Sequence, residues 1–398
     1  MKKYILIILC CLTSFPLWSY NVNMIVEHYS VDQGLPNNTV NCTLKDRDGF
    51  IWFGTWYGLC CFDGVKFKTF NKQEHDSDVP PRKIQRIVED KNGYIWVKTI
   101  DRKLYVFNKV TECFHAVYDD MKNYSENIQV IKLQNTAEGD VLLLTKDKNL
   151  LLAGVDEKGQ VTIKILFDSR NEINKHDYTL KHHVLCETEE YISWIGTDYK
   201  VAAVHKGSEL ASRPADFITS KINSGDKDSF TSFFEDGRKV WVGDRAGIFY
   251  SIDVRTGLVN RYVLSEIKGA ISNLLVTPAG YVYLSVAGQG TYEYDLAERR
   301  LQKINTEMND AMVTHAFIDQ YDKIWFHENE KALIYYDPLN HTAKRFPFTM
   351  FGKITTLYSE DAGERGLFFL SPAGEAWLFD REHAEMVYIN KLKQLSND

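Results

Sequence analysis

From Val40 to Phe70 apolar and polar residues alternate in four short runs: VNCTL, FIWFG, LCCF and KFKTF, parted by KDRDG, TWYG and Asp63-Gly64. Alternation with a period of two is the pattern of a half-buried strand, and Asp-Gly is a hairpin turn. The stretch predicts an antiparallel meander over Val40–Leu44, Phe50–Gly54, Leu59–Phe62 and Lys66–Phe70. The pattern then returns from Ile84, where IQRIVEDKNGYIWVKTIDRKLYVFN has the same order of strand, turn, aromatic strand, turn and aromatic strand. Trp52 and Trp96 hold equivalent places, a step of 44 residues.

Carried along the chain, the pattern predicts blades near residues 40–70, 84–118, 128–166, 183–206, 230–264, 271–304 and 313–347, and an eighth repeat over 354–398. Their second-strand anchors are Trp52, Trp96, Leu142, Trp194, Trp241, Tyr283, Trp325 and Phe368. A period of about 40–50 residues carrying four strands is the signature of a β-propeller blade. One blade cannot bury both its faces, so neighbours must stack, and the anchor aromatics read as packing between blades. The expected fold is an all-β propeller of four-stranded antiparallel blades. Seven blades would fill residues 20–353, with the eighth repeat beginning a second ring; a ring of eight is the alternative. Ile25–Ser30 reads as a strand delivered in advance to close the ring against its last blade.

Composition agrees: 22 Tyr, 22 Phe and 8 Trp against 9 Pro favour β structure. A net charge of −7 with no basic run in the sequence argues against nucleic acid. Lys2-Lys3, the apolar run Tyr4–Leu12 and the small residue Ser19 predict a signal peptide over residues 1–19 and hence an exported or periplasmic protein. No later run has the length of a membrane helix. Five cysteines would remain after processing: Cys42, Cys60, Cys61, Cys113 and Cys186. One strand separates Cys42 from Cys60-Cys61, which at ~4.8 Å per strand leaves them about 9–10 Å apart, too far for a bridge. Buried free thiols are expected. Metal-ligand spacing is absent, and neither a metal nor a cofactor is expected.

The first repeat also carries a resemblance. HYSVDQGLPNNTVNCTLKDRDGFIWFGTWYGLCCFDGVKFKTF resembles the regulator-propeller repeat of periplasmic sensors in hybrid two-component systems. The marks are a G-L-P-x-N-x-V lead-in (Gly34, Leu35, Pro36, Asn38, Val40) and a core at Asp46, Gly49, Ile51, Trp52, Gly54, Thr55, Gly58 and Leu59. The core recurs in the second repeat with Lys98 in place of glycine, is partial in the fourth, fifth and seventh, and faint in the third, sixth and eighth. The resemblance implies two seven-bladed rings ahead of a β-sandwich, a membrane helix, a histidine kinase, a receiver and a DNA-binding domain. It also implies detection of glycan fragments outside the inner membrane. The kinase, receiver and DNA-binding regions are absent from this sequence. The expected role is therefore non-catalytic ligand sensing, passed to a two-component kinase partner or a missing C-terminal part.

In a four-stranded blade the turns between second and third strands share one face with the connections between blades. That face should carry Trp56, Tyr57, Arg102, Tyr199, Arg245 and Gln289, the candidate ligand-binding residues, since aromatics among polar groups suit a sugar ring and its hydroxyls. Asp46-Arg47-Asp48-Gly49 begins like a calcium loop but lacks the later ligands, so it reads as a turn. His182-His183 point to opposite faces of a strand and cannot share a metal. No G-x-S-x-G occurs. Two other readings stand beside the sensor. A propeller lyase or hydrolase would need paired carboxylates or a Tyr/His pair. A scaffold would bind proteins, or a second copy of itself, through an apolar face.

Overall fold

The computed structural model describes residues 27, 29–70, 80–122, 129–169, 180–196, 201–207, 215–216, 230–304, 313–328, 331–351, 358–361, 366–371 and 375–391. The predicted signal peptide lies outside them. Eight four-stranded antiparallel sheets follow one another, and in each the strands run in sequence order. The fold is a β-propeller, as the repeats predict. Blade one is Val40–Lys45, Ile51–Thr55, Gly58–Phe62 and Phe67–Phe70; blade two is Ile84–Glu89, Ile95–Thr99, Leu104–Asn108 and Cys113–Ala116. Blades three to seven cover residues 130–167, 180–216, 230–263, 271–303 and 313–347. These seven belong to one compact unit, Tyr29–Met350; the eighth sheet, residues 358–391, belongs to another.

Within the seven-bladed unit the first strands of successive blades lie against one another, as Val40–Lys45 does on Ile84–Glu89 and Phe230–Glu235 on Ile271–Val276. The first strand is thus the inner one. Six apolar clusters each straddle two neighbouring blades. Between blades one and two, Trp52 stacks on Phe70 at 5.4 Å and meets Phe107 edge-on at 5.5 Å. Removing such a side chain from a core costs about 3–5 kcal/mol.

The anchor tryptophan is fixed by the turn before it. Asp46 accepts the backbone N–H groups of Asp48 and Phe50 on Oδ1 and the Trp52 indole N–H on Oδ2, at 3.0, 2.9 and 2.8 Å. Asp90 does the same for Trp96, Asp236 for Trp241 and Asp319 for Trp325. Gly49 completes the turn at φ 92°, a left-handed conformation that other residues rarely adopt. This turn also moves the predicted boundary. Phe50 belongs to the turn and is exposed, and the second strand runs Ile51–Thr55.

Where threonine replaces the aspartate, its hydroxyl still caps the turn but offers no second oxygen. Thr136 precedes Leu142, and Thr277 precedes Tyr283. Tyr283 finds another acceptor: its hydroxyl donates to the buried Glu293 carboxylate at 2.7 Å, and Tyr336 of blade seven donates to the same oxygen at 3.2 Å.

The lead-in before blade one differs from expectation. Tyr29 and Ser30, the described end of the predicted closing strand, are not strand. Ser30 caps a 3-10 turn, Val31–Gln33, in a reciprocal capping box, and Gly34 ends it at φ 109°. Tyr29 then packs on Phe62 and Phe67 at ring distances of 4.9 and 5.3 Å. A Cβ on Gly34 would meet Phe67 at 3.4 Å, an ordinary contact, so it is the left-handed φ that favours glycine there.

Candidate ligand-binding face

The turns between second and third strands are shaped by a hydroxyl or carboxylate at the strand end. Thr55 Oγ1 donates to Gly58 O at 2.9 Å and accepts from Tyr57 N at 3.2 Å; Thr99 and Thr145 accept from Lys103 N and Asn149 N, and Asp244 from Ala246 N and Ile248 N. The effect is to hold each turn tip outward. Backbone bonds then tie the tips to the connections between blades. Lys83 N donates to Trp56 O at 2.9 Å, Ile100 N to Lys83 O at 2.9 Å, and Val130 N to Arg102 O at 2.9 Å.

On this loop face Trp56 is 38% exposed and Tyr57 66% exposed, so neither side chain is spent on the core. The Lys83 ammonium lies 5.1 Å from the Trp56 ring centroid, a cation–π contact that fixes one side of the ring. Arg102 stands exposed at φ 68° on the equivalent turn of blade two, one blade away. Arg245 is exposed on the turn of blade five. Gln289, half-buried in blade six, bridges backbone: its Oε1 accepts from Lys268 N at 2.7 Å and its Nε2 donates to Glu266 O at 3.0 Å. Its amide is engaged in holding that connection. Tyr199 lies outside the described residues. Trp56 and Tyr57 thus share the turn of blade one and Arg102 stands on the equivalent turn of blade two, whereas Arg245 and Gln289 belong to blades five and six of the same face.

The opposite face, made by the first and third turns of each blade, holds features that the sequence reading passed over. A cavity of about 760 Å³ opens between blades one and two, lined by Phe50, Phe70, Tyr94, Arg47, Lys66 and Asn108 among others. At its edge Lys109 Nζ donates to Glu89 at 2.7 Å, Asp46 at 2.9 Å and Asp48 at 3.1 Å. Those three carboxylates are near enough to one another to hold a metal ion, and the ammonium takes the central place instead. Burial would raise the Asp46 carboxyl, but the bonds from Trp52 and Lys109 outweigh it and hold the group below the usual carboxylate range. Burial pulls Lys109 down while its three carboxylates push harder the other way, and the net shift is upward. Asp46 is therefore at once turn cap, indole acceptor and ion-pair partner, which confirms the turn reading of Asp46–Gly49.

Cys42, Cys60, Cys61, Cys113 and Cys186 are free thiols, and Cys60 and Cys186 are buried. Among the described residues no helix is long and apolar enough to cross a membrane.

Residues 34–57 match the family model of the two component regulator propeller. They cover the lead-in turn and the first two strands of blade one, so the resemblance rests on a matched repeat. No curated protein matches the chain. Among solved structures, the Dos1 propeller is 14% identical with a TM-score of 0.52, over 84% of this chain and 90% of its own. The extracellular domain of BT4673 from B. thetaiotaomicron, described as a one component system, is 14% identical with a TM-score of 0.41, over 90% of this chain and 61% of its own. That of BT3049 from the same organism, described as a hybrid two component system, is 15% identical with a TM-score of 0.39, over 92% and 55%. The chain thus spans about three fifths of the first of these domains and just over half of the second. At such identities the likeness shows the β-propeller fold.

Proposed function

We propose that this propeller is the ligand-reading part of an exported, non-catalytic sensor that takes up a glycan fragment on its loop face and signals through a two-component kinase. The matched regulator-propeller repeat at residues 34–57 carries the reading. The physical support is the loop face itself. Trp56 offers a partly exposed ring, Tyr57 beside it and Arg102 on the next blade's equivalent turn add donors, and all three ride on turns fixed by backbone bonds. Preorganised aromatic and polar groups of this kind bind a sugar's apolar face and hydroxyls with little ordering on binding. The buried carboxylate of Glu293 is engaged by Tyr283, Tyr336 and Gln302 at the seam between blades six and seven, and the Tyr336 hydroxyl also lies 3.1 Å from His341 Nδ1.

The test is a glycan array followed by titration calorimetry of the hits, with chromatography of each mixture after a day. The reading expects saturable binding, unchanged glycan, and a loss of at least about tenfold in Trp56→Ala with an unchanged melting temperature, since truncating an aromatic contact at a binding site typically costs ~1–3 kcal/mol. Cleavage of a bound glycan would overturn it.

A further inference from the structure

Four cations meet on the loop face where blades two and three adjoin, although 46 residues of sequence separate the first from the last. Lys98 stands where blades one and five have Gly54 and Gly243. It is 6% exposed, and its Nζ donates to the side chain of Gln85. Arg86 is its direct register partner on the first strand. Cross-strand partners on one face have Cβ atoms about 4.5–5.5 Å apart, and like charges there repel. Lys132 occupies Arg86's place in blade three, opposite Leu144. Arg102 follows on the turn beyond Lys98, with its carbonyl bonded to Val130 N at the start of blade three.

Both lysines feel an arginine of the group. Burial first, then Arg102, pulls Lys98 below the ordinary lysine range; burial does so for Lys132 against the opposing pull of Cys186, with Arg86 adding to burial. Among the described residues no carboxylate forms an ion pair with Arg86, Lys98 or Arg102. The two acids on the neighbouring turns are engaged: Asp101 with Thr99 and Lys103, Asp147 with Thr145. A buried ammonium without a counter-ion is destabilising, and the fold does not require one, because glycine fills the same place in two other blades.

We propose that the loop face over blades two and three binds a carboxylate or sulfate group carried by a sugar, with Arg86, Lys98 and Arg102 as its receptors. This rests on the glycan reading above and narrows it to acidic glycans. The anion would supply the charge that Lys98 lacks, and the exposed Arg86 and Arg102 form its entry. Trp56, one blade away, would stack on an adjoining sugar ring.

The experiment follows the melting temperature of the full chain against sodium sulfate, sodium glucuronate and glucose at constant ionic strength. A saturable rise with sulfate and with glucuronate, and none with glucose, is expected, since a ligand that binds only the folded state stabilises it. Lys98→Met should melt higher than the parent without anion and lose at least tenfold in the sulfate midpoint; Arg86→Gln should lose a similar factor, and Trp56→Ala none. A sulfate effect that does not saturate, or that survives both Lys98→Met and Arg86→Gln, overturns the site. Anion binding that depends on Lys98, with no glycan on the array bound, keeps the site and removes the glycan reading. A neutral glycan bound through Trp56 without any anion effect keeps the sensor and removes the acidic requirement.

Discussion

The Trp52 indole donates to the Asp46 carboxylate over 2.8 Å, and the same bond recurs as Trp96–Asp90, Trp241–Asp236 and Trp325–Asp319. One acid and one indole, six residues apart in three of these blades, join the turn at a blade's edge to the packing between blades. The D-x-x-G-x-I-W core is the linear trace of that geometry.

Asp90→Ala should therefore cost more than a turn substitution usually does. Asp90 is 1% exposed and holds two backbone N–H groups as well as the indole. Leaving buried donors unsatisfied costs about 1–3 kcal/mol each, so a loss of roughly 3 kcal/mol in urea unfolding is expected. Thr277→Ala, which removes the hydroxyl's two long bonds to the Tyr281 backbone and no indole acceptor, should cost about 1 kcal/mol. Equal losses would show that the indole bond adds nothing.

The Lys109 cluster predicts opposite behaviour at the two ends of the pH scale. Asp46 titrates lower in the folded chain than unfolded, so its contribution is present above the unfolded value of about 3.9 and is lost as pH falls through the folded value. Lys109 titrates higher when folded, so its contribution is present below about 10.4 and is lost as pH rises through the folded value. Lys109→Met should lower stability at pH 7 by about 2–3 kcal/mol, less than a fully buried pair because the lysine side chain is 19% exposed. It should also flatten the alkaline limb of a stability–pH curve. A variant with the parent's alkaline limb would show that the ammonium is not coupled to folding.

Thiol chemistry separates the cysteines. Burial pushes Cys42 to about 11 and, with Cys61 adding to it, Cys60 to about 12; Cys61 itself goes to about 11 by burial and then Asp46. Cys186 is driven up as well, by burial and then Glu235. The thiolate is the reactive form, so these four should resist a disulfide reagent at pH 8 in the folded chain and react on unfolding. Peptide mass spectrometry after brief labelling should find Cys113 modified first. Rapid labelling of Cys60 or Cys186 would contradict the packing.

The blades were legible because the hairpin period survives even where the turn acid is lost, with an aromatic anchor at Trp194 and Tyr283 and an apolar one at Leu142. The boundary at Phe50 was not, because alternation cannot tell a turn residue from a strand residue when Asp46 bonds to its N–H. The 3-10 turn at Val31–Gln33 had a signal that went unused: Ser30 and Gln33 stand at capping-box spacing. Of the candidate site, Trp56, Tyr57 and Arg102 follow from turn position alone. Gln289 shared that position but spends its amide on backbone. The meeting of Arg86, Lys98, Arg102 and Lys132, and that of Lys109 with its three acids, depend on register and blade stacking, which a one-dimensional pattern does not contain.

The most direct measurement is a crystal structure of the chain with a glycan identified on the array. The account predicts intact glycan on the loop face, a sugar ring against Trp56 and an acidic group at Lys98. Glycan seated in the cavity between blades one and two, on the opposite face, would contradict it.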